Sequence, residues 1–214
     1  VMFRTAVAAS SWTLPSVVSL LTGHYPARHG VGSRRFRVDP DATPSLATML
    51  ASEGYDTVFV SQSRVAGPSL AADLGFDTVL YADRVENQVP RTPETRRLPA
   101  QWLLDRSAST APVFSYVHTV APHAPYSPQG PYRRFATDHP ADLGDAALWP
   151  YAFQAGGHDD DPDNVAHLRA RYDGEVMYAD AQFGRFLAML ELLGLYEDSV
   201  VVFVADHGEE FREH

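Results

Sequence analysis

Three segments of the sequence carry side chains that could do chemistry, namely hydroxyl groups, a carboxylate and imidazoles. The first is the hexapeptide Ser-Trp-Thr-Leu-Pro-Ser at residues 11–16, where hydroxyl groups precede a predicted helix start. Free backbone N–H groups and the helix dipole favour an anion at such a point, so an alkoxide nucleophile and a tetrahedral oxyanion would both be stabilised there. A purely structural alternative is that Thr13 or Ser11 caps the helix.

The second segment is Asp206-His207, which directly follows an apolar run at residues 199–205. A carboxylate beside an imidazole at the end of a strand suits a divalent metal. The alternative is a turn in which both side chains are solvated. We expect the metal pair only if other groups with matching chemistry lie nearby.

The third segment, residues 117–126, contains His118 and His123 among several prolines. Prolines lower the entropic cost of holding His123 in one place, where it could protonate a leaving group or bind a metal. The alternative is a loop histidine bonded to the backbone. The histidines elsewhere, among them His139, His158 and His167, are expected at the surface.

The elements that must position these groups alternate between strand and helix patterns, which predicts an α/β sheet covered by helices. Predicted helices run from Pro15 to Gly23, from Thr43-Pro44 to about Ser52, over 93–108, and from Asp161-Pro162 to Gly194. The last is the strongest, because its apolar residues recur at steps of three and four. Predicted strands are 55–60, 77–81, 113–120 and 199–205, the last expected inside the sheet and covered on both faces. Residues 121–160 show no period, and the acidic run 159–161 is expected to be a solvated loop and helix cap.

Composition narrows the class of protein. The chain has 214 residues and a formal net charge of −10, with arginine as every one of its 17 basic residues. An acidic chain without a basic stripe is a poor nucleic-acid binder, and no apolar run approaches the ~18 residues of a membrane span. The absence of cysteine excludes disulfides, thiolate zinc sites and cysteine nucleophiles. The excess negative charge fits a cation site and simple solubility equally well, and localisation and oligomeric state stay open.

Taken together, four segments resemble one family in order along the chain. Residues 11–31, 122–126, 172–180 and 201–214 are similar to the sulfatase family of the alkaline phosphatase superfamily. The resemblance implies an alkaline phosphatase-like three-layer sandwich, with a largely parallel central sheet and helices on both faces. It also implies that residues 1–214 are one truncated catalytic domain, since the family's first metal carboxylates and its later lysine have no counterpart here. We therefore expect these 214 residues alone to be inactive.

The same resemblance implies roles for individual residues. Thr13 falls at the nucleophile position, which also contacts the metal, and Asp206 and His207 fall on a metal-ligand pair. His123 falls at a position associated with the transferred group and its leaving group. One divalent ion, Ca, Mn or Mg, is implied as cofactor.

Departures from the family pattern affect the expected activity. Thr13 cannot become formylglycine, because oxidation of a secondary alcohol gives a ketone. Val17 occupies the place of an arginine in formylglycine sulfatases, and residues 56–62 replace a Gly-Lys-Trp-His stretch. We expect a metal-dependent hydrolase of sulfate, phosphate or phosphonate esters acting on a small molecule, glycan or lipid. The alternatives are a group transferase and a non-catalytic binding protein with the same fold.

Overall fold

The computed structural model of the chain describes residues 1–81, 101–105, 109–135 and 161–211. Its elements, in chain order, are α1 (Thr13–Thr22), α2 (Pro26–His29), α3 (Leu46–Ser52), β1 (Asp56–Ser61), α4 (Pro68–Asp73), β2 (Thr78–Tyr81), β3 (Val113–His118), a 3₁₀ helix (Gly130–Phe135) and α5 (Pro162–Leu192). They fall into two compact units. Unit 1 comprises residues 1–119 and 202–208, and unit 2 comprises 120–201 and 209–214. The single domain expected for 1–214 stays a prediction.

Unit 1 is built around a parallel sheet of three strands in the order β2-β1-β3. Strand β1 lies in the centre, with Val58 opposite Thr78 on one side and Asp56 opposite Val113 on the other. Its Thr57, Val58 and Phe59 are at most 1% exposed, as expected for a strand covered on both faces. The predicted α/β class with a parallel sheet is therefore confirmed for the described residues.

Helix α1 packs against this sheet through an apolar side. Leu14, Val17, Val18 and Leu21 recur at helical spacing and belong to the same buried cluster as Phe59. The helix ends at Gly23, whose φ of 69° is the left-handed conformation that glycine adopts most easily. Both ends of the predicted helix are confirmed to within two residues.

Helix α3 begins later than predicted, at Leu46 instead of Thr43-Pro44. Ser45 is its N-cap, because the Ser45 hydroxyl accepts the Thr48 N–H and the Thr48 hydroxyl accepts the Ser45 N–H. This reciprocal pair satisfies two backbone donors at once, which makes Ser45 a better start than Thr43.

The predicted strand at 199–205 is wrong, since the structure has no strand there. Val200, Val202 and Phe203 are 94%, 76% and 69% exposed. A strand requires a neighbour to complete its hydrogen bonds, and residues 200–205 are not part of the three-stranded sheet that the described residues form. Asp206-His207 thus follows an extended apolar run and not a central strand.

Unit 2 is dominated by the long helix α5. Asp161 is its N-cap and accepts the Asp163 N–H at 2.9 Å, and Gly194 beyond its end has a φ of 68°. Gly174 lies so close to the Tyr132 carbonyl that a Cβ there would be 2.4 Å from the oxygen. His167 on this helix is buried, so its predicted surface position is wrong.

Several predicted features lie wholly or partly outside the described residues. Of the predicted helix at 93–108, only 101–105 are described, and they are helical. Residues 136–160, with His139 and His158, are not described. Among the helices of the described ranges, none is both long and apolar enough to cross a membrane.

Candidate active site

Thr13 is the first residue of α1 and is 8% exposed. The N-cap is Trp12, whose side chain makes no capping bond, so the interpretation of Thr13 or Ser11 as the helix cap is wrong. The Thr13 Oγ1 atom lies 3.3 Å from His207 Nε2, across 194 residues of sequence. The hydroxyl is therefore directed at one of the predicted metal ligands.

The other ring nitrogen of His207 determines what Nε2 can do. Nδ1 lies 2.7 Å from the Gly208 carbonyl oxygen, which can only accept a hydrogen bond. In the neutral ring Nδ1 therefore carries the hydrogen, and Nε2 presents a lone pair towards Thr13. A histidine that binds a metal through one ring nitrogen commonly donates its other N–H to a carbonyl oxygen in this way.

Asp206 adds a carboxylate to the same place. Its Oδ2 atom lies 3.7 Å from His207 Nε2, is buried, and has no hydrogen-bond partner among the described residues. A bare nitrogen and a carboxylate oxygen at this distance face each other with lone pairs, which is unfavourable unless a positive charge lies between them.

A divalent cation fits this donor set, because Asp206 Oδ2, His207 Nε2 and Thr13 Oγ1 are all atoms that bind such ions. No cluster of three or more histidine, aspartate or glutamate side chains suited to a metal occurs in the part of the chain that the structure describes. A divalent ion bound here would take only part of its coordination shell from these three atoms.

Tyr116 is a neighbour of this site to which the sequence analysis gave no role. Burial, and then the Asp206 carboxylate, raise the pKa of its hydroxyl, which stays protonated. The hydroxyl lies 3.1 Å from His118 Nδ1. One sequence pattern could have indicated this contact: residues 116 and 118 are two apart on β3, and residues at that spacing lie on the same face of a strand.

His123 lies in unit 2, on a loop between two cis prolines, Pro122 and Pro125. Its Nδ1 is 2.7 Å from the Ala124 carbonyl oxygen, so Nδ1 carries the hydrogen. The exposed ring is then a backbone-bonded loop histidine, and Nε2 is the ring nitrogen that the backbone leaves unused. The convergence of His123 with Thr13 stays a prediction.

Helix α5 holds the loop that follows His123. The Tyr126 carbonyl accepts a hydrogen bond from Arg171 Nε at 2.9 Å, and Glu175 Oε1 accepts the Ser127 N–H at 2.9 Å. Tyr126 itself is fully buried, and its ring contacts Tyr172 at a centroid distance of 5.5 Å. The segment 172–180, which resembles the family in sequence, therefore packs under the loop that follows His123 and supports it.

Val17 lies on α1 and is fully buried in the apolar core of unit 1. By resemblance, its position is that of an arginine in formylglycine sulfatases. A guanidinium there would lose its hydration in apolar surroundings. The Thr13 helix is accordingly packed for an aliphatic residue at this position.

The chain is similar to known proteins along its whole length. The family model described as Sulfatase matches residues 1–214. A low-salt glycan biosynthesis sulfotransferase, Agl7 of Haloferax volcanii, is 28% identical over 97% of this chain and 40% of its own length. An ulvan-active sulfatase of Formosa agariphila is 26% identical over 98% of this chain and 43% of its own length.

The chain thus spans about two fifths of the length of these curated relatives. Among solved structures, the phosphonate monoester hydrolase of Agrobacterium radiobacter superposes with a TM-score of 0.60 and 21% identity, over 89% of this chain and 52% of the other. That likeness shows a shared fold. Because the Sulfatase family model matches all 214 residues, this chain belongs to the sulfatase family.

Proposed function

We propose that this chain carries the nucleophile and part of the metal site of a metal-dependent hydrolase of sulfate, phosphate or phosphonate esters. The observation that carries the proposal is the contact of Thr13 Oγ1 with the bare His207 Nε2, beside the orphaned Asp206 Oδ2. A hydroxyl and a carboxylate that lie 3.3 and 3.7 Å from the same imidazole nitrogen can bind one divalent cation together with it, and the cation then activates the hydroxyl as a nucleophile. The fold proposed with it is the alkaline phosphatase-like three-layer sandwich.

The reaction follows from the chemistry of these groups. A divalent cation held by Thr13, Asp206 and His207 would lower the pKa of the Thr13 hydroxyl and balance negative charge on the transferred group. The Thr13 alkoxide attacks sulfur or phosphorus in line, and the bond to the leaving alcohol breaks as the bond to Oγ1 forms. His123 gives its proton to the leaving oxygen. Water then attacks sulfur or phosphorus of the Thr13 ester, and the bond to Oγ1 breaks. One water proton returns to Oγ1, the other restores His123, and the anion leaves.

The start of α1 contributes to the same step. Thr13 is the first residue of this helix, whose backbone N–H groups and dipole favour negative charge at the N-terminal end. The oxygens of the transferred sulfuryl or phosphoryl group carry negative charge throughout the step. The ester substrate is a small molecule, a glycan or a lipid.

A second candidate function is transfer of the group to another alcohol. The relative from Haloferax volcanii, with 28% identity, is named a sulfotransferase, and this observation favours the candidate. Both functions share the Thr13 ester and differ only in the acceptor. Product analysis with and without a sugar alcohol added to the assay separates them.

The test is turnover by the full-length protein on a panel of sulfate, phosphate monoester, phosphate diester and phosphonate esters, with added Mn, Mg or Ca. Thr13→Ala is expected to lower turnover on the order of 10³-fold or more, because the covalent route is lost, while metal binding largely survives. Thr13→Ser is expected to retain part of the activity. Thr13→Cys is expected to be weakly active, since no arginine at position 17 completes the maturation motif.

The matched control is Thr22→Ala at the other end of the same helix, where the hydroxyl donates to the Val18 carbonyl and accepts the His24 N–H. It is expected to turn over at the wild-type rate. Wild-type turnover by Thr13→Ala would reject Thr13 as nucleophile. Absence of turnover on every ester, with bound metal verified, would favour the non-catalytic binding protein.

A further inference from the structure

The sign of the charge changes sharply along this chain. Residues 1–38 contain five arginines and no acidic residue, whereas the remaining 176 residues carry 12 arginines and 27 acidic residues. The net charge of −10 conceals this local excess of positive charge. The positive segment is the one that contains Thr13, next to which an anionic group would bind.

Within this segment, residues 32–35 form a tight turn that presents Arg34. The Gly32 N–H donates to the Arg35 carbonyl at 2.8 Å, and the Arg35 N–H donates back to the Gly32 carbonyl at 3.3 Å. Arg34 lies at the tip of the turn and is exposed. The geometry therefore presents a guanidinium to solvent on a closed loop.

The base of this turn is anchored in the core of unit 1. Arg37 makes a two-pronged ion pair with Asp73, with Nε donating to Oδ2 at 2.6 Å, and the Val38 N–H also donates to Asp73 Oδ2 at 3.2 Å. The Asp73 side chain is 7% exposed. Such a bidentate pair restricts the segment, so Arg34 and Phe36 are presented by a rigid base.

Phe36 connects the turn to the proposed active site. Its ring meets Trp12 edge to face at a centroid distance of 6.3 Å, and Phe36 remains 58% exposed. Trp12 is bonded directly to Thr13 and also packs against the apolar core. An exposed aromatic surface thus begins one residue from the proposed nucleophile.

We propose that Trp12, Arg34 and Phe36 form a recognition surface for an anionic saccharide, with the exposed Phe36 ring, backed by Trp12, against a sugar face and Arg34 paired with a further sulfate or phosphate group. This proposal rests on the proposed function and narrows its substrate class from esters in general to anionic sugar esters. The three residues are here named the Arg34 surface.

An arginine together with an exposed aromatic ring favours a charged saccharide over other anionic esters. An arginine fork matches the oxygens of a sulfate or phosphate. Aromatic rings bury the apolar C–H face of a sugar ring while its hydroxyls stay in water. A small aryl ester would use only the group at Thr13, whereas a charged oligosaccharide would reach both Thr13 and the Arg34 surface.

Binding in the absence of turnover tests the proposal. The full-length protein carrying Thr13→Ala is titrated with a short dextran sulfate oligosaccharide, and affinity is measured by calorimetry at fixed ionic strength. Arg34→Ala and Phe36→Ala, each added to that background, are expected to weaken binding about tenfold, and Phe36→Tyr is expected to restore it. The matched control is Arg185→Ala on an exposed face of α5, which removes the same charge elsewhere and is expected to leave affinity unchanged.

Each outcome decides the proposal. Loss of affinity in both Arg34→Ala and Phe36→Ala, with Arg185→Ala unaffected and unsulfated dextran bound far more weakly, supports the Arg34 surface. Equal loss in Arg34→Ala and Arg185→Ala, or wild-type affinity in Phe36→Ala, overturns it, as does failure of the starting protein to bind dextran sulfate. Because Thr13 is already absent from the titrated protein, none of these results bears on Thr13 as nucleophile.

Discussion

Two hydroxyl groups of helix α1 each contact a histidine from elsewhere in the chain, one at the start of the helix and one in its second half. Thr13 Oγ1 lies 3.3 Å from His207 Nε2, and Ser19 Oγ lies 3.0 Å from His29 Nε2. The residue types and distances are nearly the same. The pairs differ in what holds the other ring nitrogen.

His29 Nδ1 accepts a hydrogen bond from the Val31 N–H at 3.1 Å, so in the neutral ring Nε2 carries the hydrogen and donates. His207 Nδ1 faces the Gly208 carbonyl at 2.7 Å and has the opposite tautomer, with Nε2 bare. His29 is 3% exposed and fastens the loop after α2 to α1. One pair therefore stabilises the fold and the other is available for chemistry, a difference that the backbone group at Nδ1 decides.

Alanine substitutions at the two histidines are expected to separate these roles most strongly. In the full-length protein, His207→Ala is expected to lower turnover by about 10²-fold or more with a change of less than about 1 kcal/mol in the free energy of unfolding. His29→Ala is expected to lower the free energy of unfolding by about 2–4 kcal/mol, because it leaves a cavity and two unpaired groups, while turnover per folded molecule is retained.

Steady-state turnover and urea denaturation of both variants make this measurement. The comparison would be broken if both variants lost stability to the same extent, or if His29→Ala lost turnover while remaining fully folded.

The pH dependence of stability is expected to follow His29. Burial lowers the pKa of this imidazole below its usual 6.5, with His24 acting in the same direction and the Pro15 carbonyl opposing it. As pH falls below about 6.5, the unfolded chain takes up a proton that folded His29 resists, so the free energy of unfolding decreases down to the folded pKa. Above pH 6.5 this contribution is fully present.

Urea denaturation of the wild type and of His29→Gln over pH 5 to 8 measures the effect. The glutamine variant is expected to lose part of the slope below pH 6.5. An unchanged slope would assign the pH dependence to other groups.

The smallest effect is expected from Ser19→Ala, the counterpart of Thr13→Ala on the same helix. It is expected to cost about 1 kcal/mol or less in the free energy of unfolding, since the Pro15 carbonyl remains as an acceptor near His29. Turnover is expected to be unchanged. A thermal melt and the ester assay measure both, and a loss of turnover close to that of Thr13→Ala would remove the distinction between the two pairs.

Helix ends were predictable because their signals are local. Gly23 ends α1, and Asp161-Pro162 starts α5, where the Asp161 carboxylate meets the Asp163 N–H. Each of these signals acts over one turn of helix and needs no distant partner. The boundary at Ser45 was missed because Thr43-Pro44 offers a similar local signal, whereas Ser45 is the residue that exchanges two hydrogen bonds with Thr48.

Two nearly identical tetrapeptides show where local signals fail. Thr57-Val58-Phe59-Val60 is the centre of β1, with no residue more than 4% exposed. Val201-Val202-Phe203-Val204 forms no strand, and its residues are 39–76% exposed. Composition supplies the tendency to be a strand, but a neighbouring strand supplies the hydrogen bonds, and that neighbour is a property of the tertiary structure.

In the candidate site, too, some properties were predictable from local sequence and others depended on the fold. Residue identity and local pattern were enough to indicate the chemical types, which are a hydroxyl at Thr13 at a helix start and the Asp206-His207 pair after an apolar run. Folding was needed to bring Thr13 and His207 together across 194 residues, to give His207 and His29 opposite tautomers, and to leave Asp206 Oδ2 buried without a hydrogen-bond partner among the described residues. Such properties depend on which backbone groups and side chains meet in space, and spacing along the chain does not encode that meeting.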